Sequence, residues 1–313
     1  SPSPTSRDRC RTTGRTAGCA GRSRTASRPS RSSTGTSPRP GTGRRRGPRG
    51  AKAGPPERRR MITVTVRDAL FVHWPVDPDA LAERVPDPLV PETFDGSAWV
   101  SALALENRVS PGSAALPAPL RRRFPQLNLR TYVALDGDPG VYFLSLDAGG
   151  RLPAAVGRRL FGLPFRHARV RLDRRDGALV FRSRRRGPPP ARFAARYRPT
   201  GAAATADPGT LAAFCVERDR YYVPAGEDPR SDAARALSGD RPAAPGGADG
   251  HAVRVGSIER DPWPLRPVDA TVRPDGLFAA ADLPAPTGDP ILGYSPGVEM
   301  AVGSLALGPD RAD

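Results

Sequence analysis

Asn128, Arg130 and Tyr132 stand at alternate positions of one apolar-polar run. In a strand, successive side chains point to opposite faces, so these three share a face. A guanidinium offers paired donors in a rigid fork, and an amide and a phenol beside it complete a cradle for a carboxylate or another small oxyanion. If the face points into a barrel, the interior gains a fixed cation. If it points outward, the three residues are ordinary surface. The sequence leaves both placements open.

Gly293-Tyr294-Ser295-Pro296-Gly297 matches the pattern of a nucleophile elbow. The residue after the serine should donate its backbone N–H to an oxyanion hole, and Pro296 has none. The histidine of such a triad should follow the serine, yet the last histidine is His251. The stretch is therefore expected to be a turn entering the last strand. His73, His167 and His251 stand at no metal-ligand spacing, so no metal and no other cofactor is expected. Arg182 to Arg186, with Arg169 and Arg171, makes a basic hairpin. Its leading reading is a solvated face, and the alternative is a patch for an acidic partner. Only Phe181 lies among these arginines, which is poor material for stacking bases, so nucleic acid is not an expected partner of this region.

The charge of the chain is unevenly placed. Residues 1–60 hold 17 basic and 2 acidic side chains, whereas residues 61–313 hold 32 basic and 30 acidic. The first segment has no Val, Ile, Leu, Met, Phe, Trp or Tyr. It cannot offset the entropy of ordering a backbone, about 1–2 kcal/mol per residue, and is expected to be disordered. Three readings stay open. It is a basic arm for nucleic acid or an anionic surface, a transit-like peptide, or translated GC-rich DNA upstream of a start at Met61. The last leads, because Ile62, Val64 and Val66 open a strand at once.

Residues 61–313 are expected to form a single domain. No apolar run approaches the roughly 20 residues of a membrane span. Cys215 is the domain's lone cysteine, which excludes a disulfide framework there and points to a reducing, cytoplasmic setting. The lone lysine of the chain is Lys52, so the domain has no side-chain amine for a Schiff base.

The elements that would position these residues are mainly strands. Period-two alternation marks residues 62–66, 128–133, 169–172, 192–197 and 298–302, and apolar runs add 141–147 and 179–183. Asp136-Gly137-Asp138-Pro139-Gly140 and Asp176-Gly177 read as hairpin links. Short helices are expected after Asp77-Pro78, over 153–161 and after Gly209-Thr210, with a long loop at 225–250 before a strand at 252–258. Many short strands with small rim helices favour a barrel or sandwich over a doubly wound sheet.

Phe71-Val72-His73-Trp74-Pro75-Val76-Asp77-Pro78, Thr93-Phe94-Asp95-Gly96 and Phe124 through Tyr132 resemble the YqjF-like family of uncharacterised bacterial proteins. So do Gly140 through Asp147 and Phe161-Gly162-Leu163-Pro164-Phe165. That family is similar to the acetoacetate decarboxylase superfamily. The resemblance implies a large, cone-like antiparallel β-barrel with an interior pocket and short peripheral helices. The decarboxylases carry a Gly-aromatic-Pro-Lys-Lys segment whose first lysine forms a Schiff base. Gly162-Leu163-Pro164-Phe165-Arg166 stands there in this chain, with Phe165 at the nucleophile and Arg166 at its neighbouring cation. A phenyl ring cannot attack a ketone, so the pocket can persist while that chemistry cannot. The resemblance also sets a carboxylate of the decarboxylases near Arg130.

Two functions follow as expectations. One is a binding module whose interior holds a small anionic or carbonyl-bearing molecule through Asn128, Arg130, Tyr132, Phe165 and Arg166. The other is an enzyme in which Asp147, His167 or Glu217 acts as general acid or base on a carbonyl compound held by Arg130 and Arg166. The hairpin joining the strands of Arg130 and Asp147 makes Asp147 the expected partner of Arg130. The oligomeric state is not legible.

Overall fold

The computed structural model describes residues 61–110, 123–149, 162–224, 253–303 and 305–307. The expectations for residues 1–60, for a helix over 153–161 and for a loop at 225–250 fall outside them. The chain divides into two units, Ser1–Pro55 and Pro56–Asp313, and all described residues lie in the second. Among them, no helix is long and apolar enough to cross a membrane.

Strands dominate. They are β1 (Met61–Val76), β2 (Val90–Pro91), β3 (Thr93–Phe94), β4 (Ser97–Val109), β5 (Phe124–Leu135), β6 (Asp138–Gly149) and β7 (Phe165–Arg175). There follow β8 (Ala178–Arg185), β9 (Arg192–Pro199), β10 (Arg220–Pro224), β11 (Val253–Arg260), β12 (Val268–Arg273), β13 (Ile291–Gly303) and β14 (Ala306–Leu307). Among the described residues two short α-helices accompany them, α1 (Pro78–Ala82) and α2 (Leu211–Val216), with a single 3-10 turn at Ala279–Ala281. Asp77 caps α1 by accepting from the amides of Asp79 and Ala80, and Thr210 caps α2 through the amide of Ala213. Asp-Gly turns make the tight hairpins. Asp136 and Gly137 both have positive φ, 52° and 85°, as a two-residue type I′ link requires. The link is thus shorter than the five residues expected, because Asp138, Pro139 and Gly140 already belong to the ladder.

Strands β6, β10, β11, β13, β1, β4 and β5 are hydrogen-bonded in that order, and β5 pairs with β6 to close the ring. Closure leaves no open edge within the ring. The ladders are antiparallel except at β6. There β10 pairs in parallel with Val141 and Tyr142, and β7 pairs in parallel with Leu146 to Gly149. The same edge of β6 therefore serves two strands, and the sheet forks. From β7 the second branch runs on through β8, β9 and β12.

The fork produces two cores on the two faces of β1, β4 and β5. Inside the ring lie Phe71, Trp99, Leu103, Leu105, Tyr132, Phe143 and Tyr221. On the other face Leu70, Val72, Ala102, Leu127 and Leu129 pack with Phe181, Phe193 and Tyr197 of the second branch. Two irregularities decide which residues enter the ring. At Asp68, with φ of 51°, β1 gains a residue against β4 between Arg67 and Leu70. Val66 faces the ring before this bulge, and Ala69 and Phe71 face it afterwards. On β6, Leu129 pairs with Ser145 and Arg130 with Phe143, leaving Leu144 as the extra residue. Val141 and Phe143 face the ring before it, and Leu146 and Ala148 after it. A bulge re-aims every later side chain of its strand.

Candidate functional site

The ring interior holds a buried polar chain. His73 Nδ1 and Ser101 Oγ share a hydrogen bond of 2.6 Å, and Ser101 Oγ and the Tyr132 hydroxyl another of 2.5 Å. The Cys215 thiol joins at Tyr132. Each member is at least nine-tenths buried. His73 reaches the ring because the Asp68 bulge gives it the parity of Ala69 and Phe71. Burial, with the charge of Arg130 adding to it, lowers the His73 pKa to about 3, so the imidazole is neutral at ordinary pH. Burial pushes the Tyr132 phenol up and the Cys215 thiol up to about 11. The cysteine is a thiol here, not a thiolate nucleophile.

Three arginines meet the C-terminal end of α2. Arg218 Nε donates to the Phe214 carbonyl at 2.8 Å, Arg130 Nη2 to the Cys215 carbonyl at 2.8 Å, and Arg260 Nη2 to the Val216 carbonyl at 2.6 Å. The last carbonyls of a helix have no partner within it, and cations suit that end. Aromatic rings hold the guanidinium planes. Arg218 lies 4.5 Å from the Phe214 centroid and 5.4 Å from that of Tyr132, and Arg260 lies 5.2 Å from that of Trp263.

The three differ in their counter-charges. Arg218 pairs with Glu92 at 2.6 Å, and Arg260 with Glu217 at 2.7 Å. Glu217 also accepts from the backbone N–H of Trp263 at 2.9 Å. Arg130 pairs with no carboxylate among the described residues. It is 8% exposed, its Nε has no hydrogen-bond partner, and the Tyr132 ring lies 5.8 Å from its guanidinium carbon.

The residues expected from sequence distribute unevenly over this site. Asn128, Arg130 and Tyr132 are all buried, opposite the ring-facing Leu146, Phe143 and Val141. Asn128 is tied into a polar ladder: Gln126 Nε2 donates to its Oδ1, and Asn107 Nδ2 donates to Gln126 Oε1 at 3.0 Å. Phe165 is buried in the ring core. Arg166 is exposed, which corrects its expected place in the interior. Its strand pairs at the fork, where Phe165 points in and its neighbour must point out.

The three acid-base candidates fall in three places. Asp147 does not neutralise Arg130. The extra residue Leu144 turns Asp147 out of the ring, where it accepts from Arg185 Nε at 2.9 Å and from Ser183 Oγ at 3.4 Å. Arg185 Nη2 donates to Ser145 Oγ at 2.9 Å. His167 lines an open cleft of about 470 Å³ with Arg123, Arg169 and Arg186. Glu217 is engaged by Arg260 and Trp263. Ser295 is fully buried within β13, not at a turn before it, and its hydroxyl accepts from the Gly297 amide at 3.2 Å. Gly297 has φ of 136°, and a Cβ on it would stand 2.1 Å from the Val66 carbonyl oxygen.

Sequence reasoning missed Ser101, Cys215, Arg218, Arg260 and Trp263 as members of this site. One signal was available for Arg218, which follows Phe214 by four residues, the spacing at which a side chain can return to a helix's last carbonyls.

Comparison with known proteins supplies the family. Residues 63–235 match DUF2071, described as an uncharacterized conserved protein. The chain belongs to the DUF2071 family. The uncharacterized protein YqjF of Bacillus subtilis (strain 168) is 33% identical over 237 residues, which cover 75% of this chain and 87% of that protein. Solved structures of similar fold include the enduracididine biosynthesis enzyme MppR complexed with pyruvate. It has a TM-score of 0.53 at 17% identity, covering 84% of this chain and 95% of that one. An acetoacetate decarboxylase-like enzyme from Sphingomonas wittichii RW1 has a TM-score of 0.51 at 15% identity, covering 79% and 92%. At such identities the likeness is one of fold alone, and this DUF2071 chain shares the mainly β fold of those proteins.

Proposed function

We propose that this chain is a small-molecule-binding barrel that holds an anionic or carbonyl-bearing ligand at Arg130, inside the ring, without covalent chemistry. One observation carries the reading: a buried arginine with an unpartnered Nε and, among the described residues, no carboxylate, beside two arginines that each have one. An uncompensated buried ion costs several kcal/mol, and a ligand carboxylate would remove that cost. Asn128 and Tyr132 flank Arg130 on the same strand, and the neutral His73 adds no competing charge. MppR, of similar fold, is known complexed with pyruvate, a small 2-oxo acid. Residues 61–313 contain no lysine, so a carbonyl held there finds no side-chain amine to condense with.

Calorimetry with pyruvate and acetoacetate tests this on the full chain and on Arg130→Met. We expect binding to the wild type and a loss of about 2–5 kcal/mol in the variant, the usual cost of removing one partner of a buried charged pair. Equal binding by the two proteins would remove Arg130 from the site. Borohydride added to the wild-type mixture should leave every tryptic peptide from 61–313 without a covalent adduct.

A further inference from the structure

The outer face of β7, β8, β9 and β12 carries a field of arginines that the ring does not use. The buried side chains of these strands, among them Val170, Phe181, Phe193 and Tyr197, point to the shared core. The arginines at the alternate positions point outward and are exposed, among them Arg169 and Arg171 on β7, Arg182 and Arg184 on β8, Arg192 and Arg196 on β9, and Arg273 on β12. Register sets them side by side. Arg169 pairs with Arg184, Arg184 with Arg192, and Arg171 with Arg182. Like charges directly opposite on a sheet destabilise it. Among the described residues none of these seven forms an ion pair, while Arg174, on the other face, is matched by Asp68. The acids of these strands' outward positions, Asp173 and Asp269, stand at one end of the field.

This field is local. Residues 61–313 are nearly balanced, with 32 basic against 30 acidic side chains, so the clustering is not a by-product of a basic domain. The cleft lined by Arg123, His167, Arg169 and Arg186 continues it at one corner.

We propose that this face docks an acidic polypeptide segment of a partner protein. Three features favour that occupant over nucleic acid. Among the described residues the face is a sheet with no helix or ribbon projecting to enter a groove. It presents no aromatic ring for base stacking, because Phe181 and Phe193 point into the core. Alternate arginines of one strand repeat at roughly 6.6 Å, twice the rise of a strand residue, and an extended chain with acids at alternate positions has the same repeat. The guanidinium fork matches a carboxylate in two hydrogen bonds.

The test uses the full chain and two variants. Arg184→Glu places an acid between Arg169 and Arg192, and Arg171→Gln/Arg182→Gln removes charge without adding any. The probes are an alternating Glu-Ala peptide and random-sequence duplex DNA, titrated at low and high salt. We expect both variants to weaken the peptide at least tenfold and to flatten its salt dependence. They should change duplex binding less, since the basic residues at 1–60 are the same in every protein. We also expect Arg184→Glu to raise the thermal midpoint, because it relieves repulsion within the row. Peptide affinity that does not change in either variant would overturn the proposal. A larger effect on duplex DNA than on the peptide would overturn it in favour of nucleic acid. A lowered midpoint in Arg184→Glu would show that the row stores no repulsion, and would overturn the premise.

Discussion

Arg130 and Arg185 are both buried, at 8% and 6% exposure, and they lie on opposite sides of the β6 backbone. Arg185 meets a carboxylate and a hydroxyl: Asp147 through Nε and Ser145 through Nη2, with Ser183 also donating to the carboxylate. Among the described residues Arg130 meets one backbone carbonyl and the face of a phenol, and its Nε meets no acceptor. The difference separates two uses of one residue type. A guanidinium whose counter-charge is supplied by the protein is a fastener. One held rigidly but left without its counter-charge has capacity for something the chain does not supply.

The strongest way to break this comparison is to break the fastener. Burial raises the Asp147 carboxyl above the usual range, with Arg185 pulling against it. Asp147→Ala would leave Arg185 uncompensated in the core between the two sheet branches. We expect a loss of about 3–5 kcal/mol in chemical unfolding, the usual cost of removing one partner of a buried pair. A loss under about 1 kcal/mol would place Asp147 in the class of ordinary surface acids.

The next effect is set by pH and reads the ring interior. His73 is neutral in the fold, with its pKa lowered from 6.5 to about 3. The unfolded chain therefore binds the proton that the folded chain refuses. The histidine contributes its full stability above pH 6.5 and loses it as pH falls from there toward 3. At about 1.4 kcal/mol per unit, the loss reaches roughly 4 kcal/mol near the acid end. His73→Gln should flatten the stability profile across that window. A variant that keeps the wild-type slope between pH 6 and 4 would show that another group carries the linkage.

Much of this architecture was legible, and what was not has a common cause. Alternation in 62–66 and 128–133 and the Asp-Gly turns identified strands and hairpins, because those signals are local. The placement of Arg130 and Asp147 was not. Their strands form a hairpin, and unbroken pairing would set them on one face. Leu144 interrupts the pairing and sends Asp147 to Arg185. The bulge at Asp68 likewise carries His73 into the ring. Asp68 is held there by Tyr294, Tyr197 and Arg174, from distant parts of the chain, so nothing near it announces the break. Arg218 reaches α2 from two residues beyond its end, but Arg260 stands at the end of β11, and only closure of the ring brings it to the helix.

A smaller effect sharpens the contrast between fastener and binding group. If Arg130 is held for a ligand, removing its charge in the unliganded protein should cost little. Arg130→Met loses one hydrogen bond to the Cys215 carbonyl and a ring contact, but it also removes an unpaired buried ion. We expect a change in unfolding free energy within about 1 kcal/mol, of either sign, set against the loss of ligand affinity described above. A loss as large as that of Asp147→Ala would make Arg130 a second fastener.

The smallest expected effect belongs to Arg166, and it controls for charge. Arg166 pairs in register with Asp147 across the parallel ladder of β6 and β7, yet its side chain is exposed. Its charge acts weakly to lower the Asp147 pKa, behind Arg185 and Ser183. Arg166→Met should therefore leave stability within about 0.5 kcal/mol of wild type, as exposed substitutions usually do. It should leave pyruvate binding unchanged, because the fork at β6 turns this side chain away from the ring. Parallel calorimetry of Arg130→Met and Arg166→Met distinguishes a specific site from a diffuse cationic field. Equal weakening in both would mean that the ligand is drawn by net charge alone, and the ring interior would lose its claim to be the site.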